Sequence, residues 1–169
     1  IRDLGIPYIG IYGACSTSVL TMISAAEFVD SGKMKLAISS TSSHFCSAEK
    51  QFRFPLEYGG QRPPSAQWTV TGAGAALISS KDEKVCPKIE KAIFGKMIDL
   101  GVTDANNMGA AMAPAAADTI ASFLKETQTT PDNYDLILTG DLGKIGSQLL
   151  YQLLEKEYSI DIKEKHNDT

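Results

Sequence analysis

The sequence predicts a layered, mostly parallel α/β fold, and three observations carry that prediction. An apolar run at residues 6–12 breaks at Gly13 and leads into a long apolar helix and then a second apolar strand. A glycine- and alanine-rich strand follows at 68–80, of the kind found where another backbone approaches closely. A second section, 87–163, reads as strand, loop, helix, strand and helix again.

Residues 6–12 (Ile-Pro-Tyr-Ile-Gly-Ile-Tyr) read as a buried strand. Residues 16–30 read as a helix whose apolar positions, from Val19 to Val29, cover most of its circumference; its first charge is Glu27. A helix apolar nearly all round is buried on most sides, so this one is expected between layers. Residues 34–41 read as the next strand, and strand–helix–strand implies a right-handed parallel crossover. Residues 42–67 carry little periodicity and are punctuated by Pro55, Gly59, Gly60, Pro63 and Pro64, as a functional loop is.

Residues 87–98 alternate apolar and charged side chains at their start and read as a strand with one wet face. Pro114 suits the first turn of a helix that runs to about Thr127. Pro131-Asp132-Asn133 reads as a turn, Tyr134–Thr139 as a short buried strand, 140–146 as a loop, and 147–158 as a helix with Leu149, Leu150, Leu153 and Leu154 on one side. Residues 159–163 start another strand, and the polar tail leaves His166 solvated.

Composition narrows the function. A net charge of −4 does not suit a broad nucleic-acid surface, so an anionic ligand needs a local cluster of positive groups. No apolar run reaches the roughly 20 residues of a membrane helix, and the first residues do not read as a signal peptide. Three cysteines without a C-x-x-C spacing support neither a disulfide framework nor a zinc site. The opening at Ile1 reads as the lead-in to a strand of a longer protein.

The chemistry concentrates at Cys15. A strand, a tight Gly-Ala turn and a helix start lift its side chain toward a cleft and aim backbone N–H groups and a partial positive charge there. Such a site favours a thiolate or receives an anion, while a cysteine can equally serve as a small buried hydrophobe. The 42–67 loop adds His44, Glu49, Lys50 and Arg53, side chains that either form a charged wall for a ligand or belong to a solvated loop.

Tyr-Gly-Ala-Cys-Ser-Thr at 12–17 and Thr-Gly-Ala-Gly-Ala-Ala-Leu-Ile-Ser at 71–79 resemble the nucleophile turn and the glycine-rich strand of the thiolase and ketoacyl-synthase superfamily. Residues 13–17, 42–59, 61–72 and 138–143 together resemble the stage V sporulation protein AD family of spore-forming bacteria, over about half of a full-length member. The resemblance implies a thiolase-like α/β/α/β/α fold with mixed, mostly parallel sheets and a buried central helix. Residues 1–86 would end its first half, and 87–169 would begin its second.

The resemblance further implies binding of dipicolinic acid (pyridine-2,6-dicarboxylate), or its calcium chelate, at a degenerate thiolase site, in support of its uptake into the spore. The implied ligand contacts are Cys15, Ser16, His44, Lys50, Arg53, Thr139 and Asp141, with no resident metal and no required cofactor. It implies a homodimer working with other stage V A sporulation proteins, membrane components among them, peripheral to the cytoplasmic side of the forespore inner membrane. The superfamily's condensing enzymes place a histidine just after the strand equivalent to 135–139, where this chain reads Thr139-Gly140-Asp141. That departure removes a group that would stabilise an oxyanion and favours binding over acyl transfer. A Cys15-dependent acyltransferase acting on acyl-coenzyme A, and a non-catalytic scaffold, are the competing readings.

Overall fold

The computed structural model describes residues 3, 5–44, 60–61, 63–66, 71–81 and 85–168. It is a mixed α/β structure of two compact units, Ile1–Ser42 with Ala73–Ile89 and Ser43–Gly72 with Glu90–Thr169. No helix among the described residues is long and apolar enough to cross a membrane.

In the first unit, helix α1 (Thr17–Asp30) packs on a hairpin-like pair of strands, β1 (Leu36–Ser42) and β2 (Ala73–Ser79). The strands are antiparallel, with Leu36 opposite Ser79 and Ser42 opposite Ala73. Alternation along β1 sends Ala37, Ser39 and Thr41 inward and leaves Leu36 and Ile38 exposed. Ser39 is the buried polar side chain of this unit, and its hydroxyl lies 3.0 Å from Thr21 Oγ1 of α1, so its burial is compensated.

Three expectations for this unit are corrected. Residues 6–12 form no strand, and Ile6, Tyr8, Ile9 and Tyr12 are exposed. An apolar run becomes a strand only when a neighbour takes up its backbone hydrogen bonds, and among the described residues β1 pairs with β2 alone. The parallel crossover is therefore replaced by an antiparallel pair. Helix α1 forms where its pattern places it, but only Ala25 and Val29 are buried, while Val19 and Phe28 stay exposed.

The second unit is built on two helices, α2 (Met108–Thr127) and α3 (Gly143–Leu153), the latter running on into a π-helical turn over Leu154–Tyr158. Its core comprises Ala113, Ala117, Ala121, Leu142, Leu150, Leu154 and Ile162. The α2 contribution recurs every four residues, Gly109, Ala113, Ala117 and Ala121, a stripe of small side chains along one face. At its head the helices nearly touch. A Cβ on Gly109 would strike the Leu142 carbonyl and stand 2.9 Å from Gly146 Cα.

Helix α2 begins six residues before Pro114, which lies inside it. Asn107 supplies the N-cap, its Oδ1 accepting from Ala110 N at 3.3 Å. The packed small-residue stripe offsets the hydrogen bond that Pro114 cannot donate. Thr130 and Asn133 form a reciprocal capping box around the Pro131–Asn133 turn, as that tripeptide suggests. Residues 87–98 form no strand: Met97 is almost fully exposed, and the segment from Glu90 onward lies against α2, with Lys96 3.6 Å from Asp118.

Strand β3 (Ile137–Thr139) is shorter and wetter than its pattern suggests, with Leu138 exposed. Its partner is β4 (His166–Asp168), parallel, with Ile137 opposite His166 and Thr139 opposite Asp168. The strand expected at 159–163 thus falls further on, in the polar tail. The loop expected to reach residue 146 ends earlier, at Gly143.

Gly109→Ala is expected to destabilise the protein by about 1–3 kcal/mol through overpacking. Denaturant unfolding checks this, and a change within error would mean that the helices part without cost.

Candidate functional site

The Cys15 turn is tied together by its own side chains. Ser16 donates through Oγ to the Gly13 carbonyl at 2.7 Å, and Thr17 donates through Oγ1 to the Ala14 carbonyl at 2.7 Å. Thr17 Oγ1 also accepts from Gly13 N at 3.0 Å, closing the turn on itself. Ala14 has φ 48°, a left-handed conformation that L-residues with a Cβ rarely adopt. Such strain persists where the surroundings over-determine it and is concentrated at functional turns. Ala14–Ser16 form a single 3-10 turn, so exposed Cys15 stands immediately before α1. Ser16, the N-cap of α1, makes no side-chain capping bond, and the first turn carries no acidic residue. The positive end of that helix dipole thus carries no capping side chain or acidic residue of its own first turn.

The second turn, Thr139-Gly140-Asp141, lies between β3 and α3. Asp141 has φ 63° and Gly143 has φ 63°, so the chain reverses through two left-handed residues around buried Leu142. Here the helix start is already occupied. Asp168 Oδ2 accepts from Gly143 N at 2.6 Å, and its Oδ1 accepts from Leu142 N at 3.2 Å and from Thr139 Oγ1 at 2.8 Å. The carboxylate of β4 thus serves as the anion for α3.

His166 lies beside this turn rather than in solvent, which corrects the expectation for the tail. Its Nε2 is 2.8 Å from Thr139 Oγ1, and its Nδ1 is 2.8 Å from Tyr151 OH, with the two rings edge to face at 5.3 Å. Burial pulls its pKa below the ordinary 6.5, against the opposing charge of Asp168.

The seven residues expected at the site are distributed as follows. Cys15 and Ser16 share the turn of the first unit, and Thr139 and Asp141 share that of the second. His44 is exposed just after β1. Lys50 and Arg53, with Glu49, lie outside the described residues. Among the described residues no group of three or more His, Cys, Asp and Glu side chains is placed to hold a metal ion. A surface cleft of about 360 Å³ opens at Lys125, Thr129–Asp132 and Ser159–Asp161, and none of the five described site residues lines it. His166 and Asp168 were not anticipated. Their signal in the sequence is the spacing His-x-Asp, which puts both side chains on one face of a strand.

The family model described as Stage V sporulation protein AD (SpoVAD) matches residues 1–169. The chain belongs to the stage V sporulation protein AD family. The Stage V sporulation protein AD of Bacillus subtilis (strain 168) is 50% identical to it over 167 residues, which is 99% of this chain and 48% of that protein. The chain therefore spans about half the length of the curated relative it matches.

In this member of the stage V sporulation protein AD family, the strain at Ala14 has a direct test. Ala14→Val, which forces a β-branched residue into the left-handed region, is expected to lower stability by about 1–2 kcal/mol. Ala14→Gly should not lower it. Equal thermal melting of the two variants would refute the strain.

Proposed function

We propose that this sporulation protein binds dipicolinic acid, or its calcium chelate, and that the Cys15–Ser16 helix start receives a ligand carboxylate. The observation that carries the reading is the strained Gly13–Ala14 turn, which presents Cys15 before a helix start that Ser16 leaves uncapped. His44, Lys50, Arg53, Thr139 and Asp141 are the further ligand contacts in this proposal. Lys50 and Arg53 bring the positive charge that a planar dianion wants.

Binding is favoured over acyl transfer by the state of the histidines. Thr139-Gly140-Asp141 stands where the condensing enzymes of the resembled superfamily carry one, and both ring nitrogens of His166 are engaged with Thr139 and Tyr151. An acyl-transfer site needs a group free to polarise a thioester carbonyl. Cys15 is accordingly a ligand-contacting residue here rather than a nucleophile.

The proposal includes a thiolase-like layered fold. Its support is that both sides of the α1–sheet layer carry uncovered apolar residues, Val19 and Phe28 on α1 and Ile38 opposite Leu77 on the sheet. An inner layer has that character. It also includes a homodimer, cooperation with other stage V A sporulation proteins, and a peripheral position at the spore inner membrane.

Calorimetric titration of dipicolinate, with and without calcium, is the test. Saturable binding is expected. Lys50→Glu should weaken it by about tenfold or more, the scale of one charge-assisted hydrogen bond at roughly 1.5–3 kcal/mol. Cys15→Ala should weaken it as well. No binding by folded protein would overturn the reading, and a covalent acyl adduct on Cys15 would replace it with acyl transfer.

A further inference from the structure

The hydrogen bonds around β4 have directions that follow from chemistry. A carboxylate only accepts, so Thr139 spends its single hydroxyl proton on Asp168 Oδ1. Thr139 Oγ1 must then accept from His166, which puts the ring proton on Nε2. A neutral ring protonated at Nε2 leaves Nδ1 as an acceptor, and Tyr151 OH donates to it. The chain of donors thus runs from Tyr151 through His166 and Thr139 to Asp168. It ends on the carboxylate that also holds the amides of Leu142 and Gly143.

The link from Tyr151 requires a neutral imidazole, because Nδ1 of a protonated ring is a donor and the Tyr151 hydroxyl must then reverse to accept; the links from Nε2 to Thr139 and from Thr139 to Asp168 keep their direction. An imidazolium carries two donors and no acceptor, so protonation takes away the partner to which Tyr151 donates. It also sets a charge in a half-buried position between α3 and β3. The ionisable groups facing the ring are Asp168 on its own strand and Tyr151 on α3. Strand β3 presents uncharged Thr139, and the Lys165 ammonium is turned to the Tyr134 carbonyl, 2.9 Å away. Of the two ionisable groups, Asp168 favours the charged ring.

We propose that His166 and Asp168 are positioning residues of a proton-sensitive clasp. Neutral His166 locks β4 against β3 and α3, and its protonation loosens the Thr139–Gly143 turn that carries Asp141. The sign agrees with the lowered pKa of the ring. Stabilisation by the clasp is complete above the ordinary 6.5 and is lost as pH falls through the lower folded-state value. The extension to ligand affinity rests on the proposed dipicolinate site; the clasp itself does not.

Hydrogen exchange of the Leu142 and Gly143 amides, with imidazole nitrogen NMR on the full chain, tests the clasp. At pH 7.5 the ring should carry its proton on Nε2. Protection factors of the two amides should fall by about tenfold between pH 7.5 and pH 5.0. In His166→Gln they should be flat over that range. Tyr151→Phe, which removes the donor to Nδ1 and leaves the fold's apolar contacts, should raise the His166 titration midpoint. An Nδ1-protonated ring, pH-independent protection in the unmodified chain, or an equal fall in His166→Gln would overturn the clasp. If dipicolinate binds at pH 7.5, its affinity should decline in step with the protection factors and be flat in His166→Gln. A decline unrelated to His166 would cut the link to the ligand, and absence of binding would overturn the function while the amides still decide the clasp.

Discussion

The second unit depends on the contact between Gly109 and Gly146. With no Cβ at either position, α2 and α3 approach until backbone meets backbone, and the Leu142 carbonyl comes to rest over Gly109. That contact determines where α3 can begin. Leu142 is drawn into the core, and the chain must leave β3 and enter the helix within three residues, which it does through the left-handed Asp141 and Gly143. A turn that tight leaves the first amides of α3 without partners in their own helix. Asp168 supplies them from the neighbouring strand, and β4 is thereby placed.

Much of this was legible in the residues, and the parts that were not share a cause. Helix α1 and the leucine face of α3 followed from apolar spacing, because a helix satisfies its backbone internally and needs only one face covered. The apolar run at 6–12 and the alternating segment at 87–98 both read as strands, but a strand's hydrogen bonds belong to its neighbour. Periodicity says nothing about whether that neighbour is present. Pro114 misled in another way: it is at home in a first turn, yet Asn107, which has the better capping chemistry, stood seven residues earlier. The Ala113–Ala117–Ala121 stripe signalled a helix running through the proline.

The polar tail shows the limit of composition. Lys165, His166, Asn167 and Asp168 look solvated as a group, but alternation divides them. His166 and Asp168 face inward with Thr139, and Asn167 faces out. The register opposite β3 makes His-x-Asp a matched set, and register cannot be read from three residues. The site residues divide along the same line. The turn and helix start at Cys15 and Ser16 were legible because both are local features. The interactions of Thr139 depend on a strand 27 positions away.

The two helix starts bear differently on an anionic ligand. Each offers oriented N–H groups and the positive end of a helix dipole. At α3 the offer is taken up by Asp168, whose carboxylate accepts from two amides and a hydroxyl. An incoming carboxylate there would have to displace a charge-assisted set that is already complete. At α1 the side chain best placed to cap, Ser16, turns back to the Gly13 carbonyl instead, and no acidic residue occupies the first turn. A protein that fills one helix start with its own carboxylate and turns its capping hydroxyl away from the other has made them unequal. The ligand carboxylate is proposed at the α1 start, beside Cys15, for that reason.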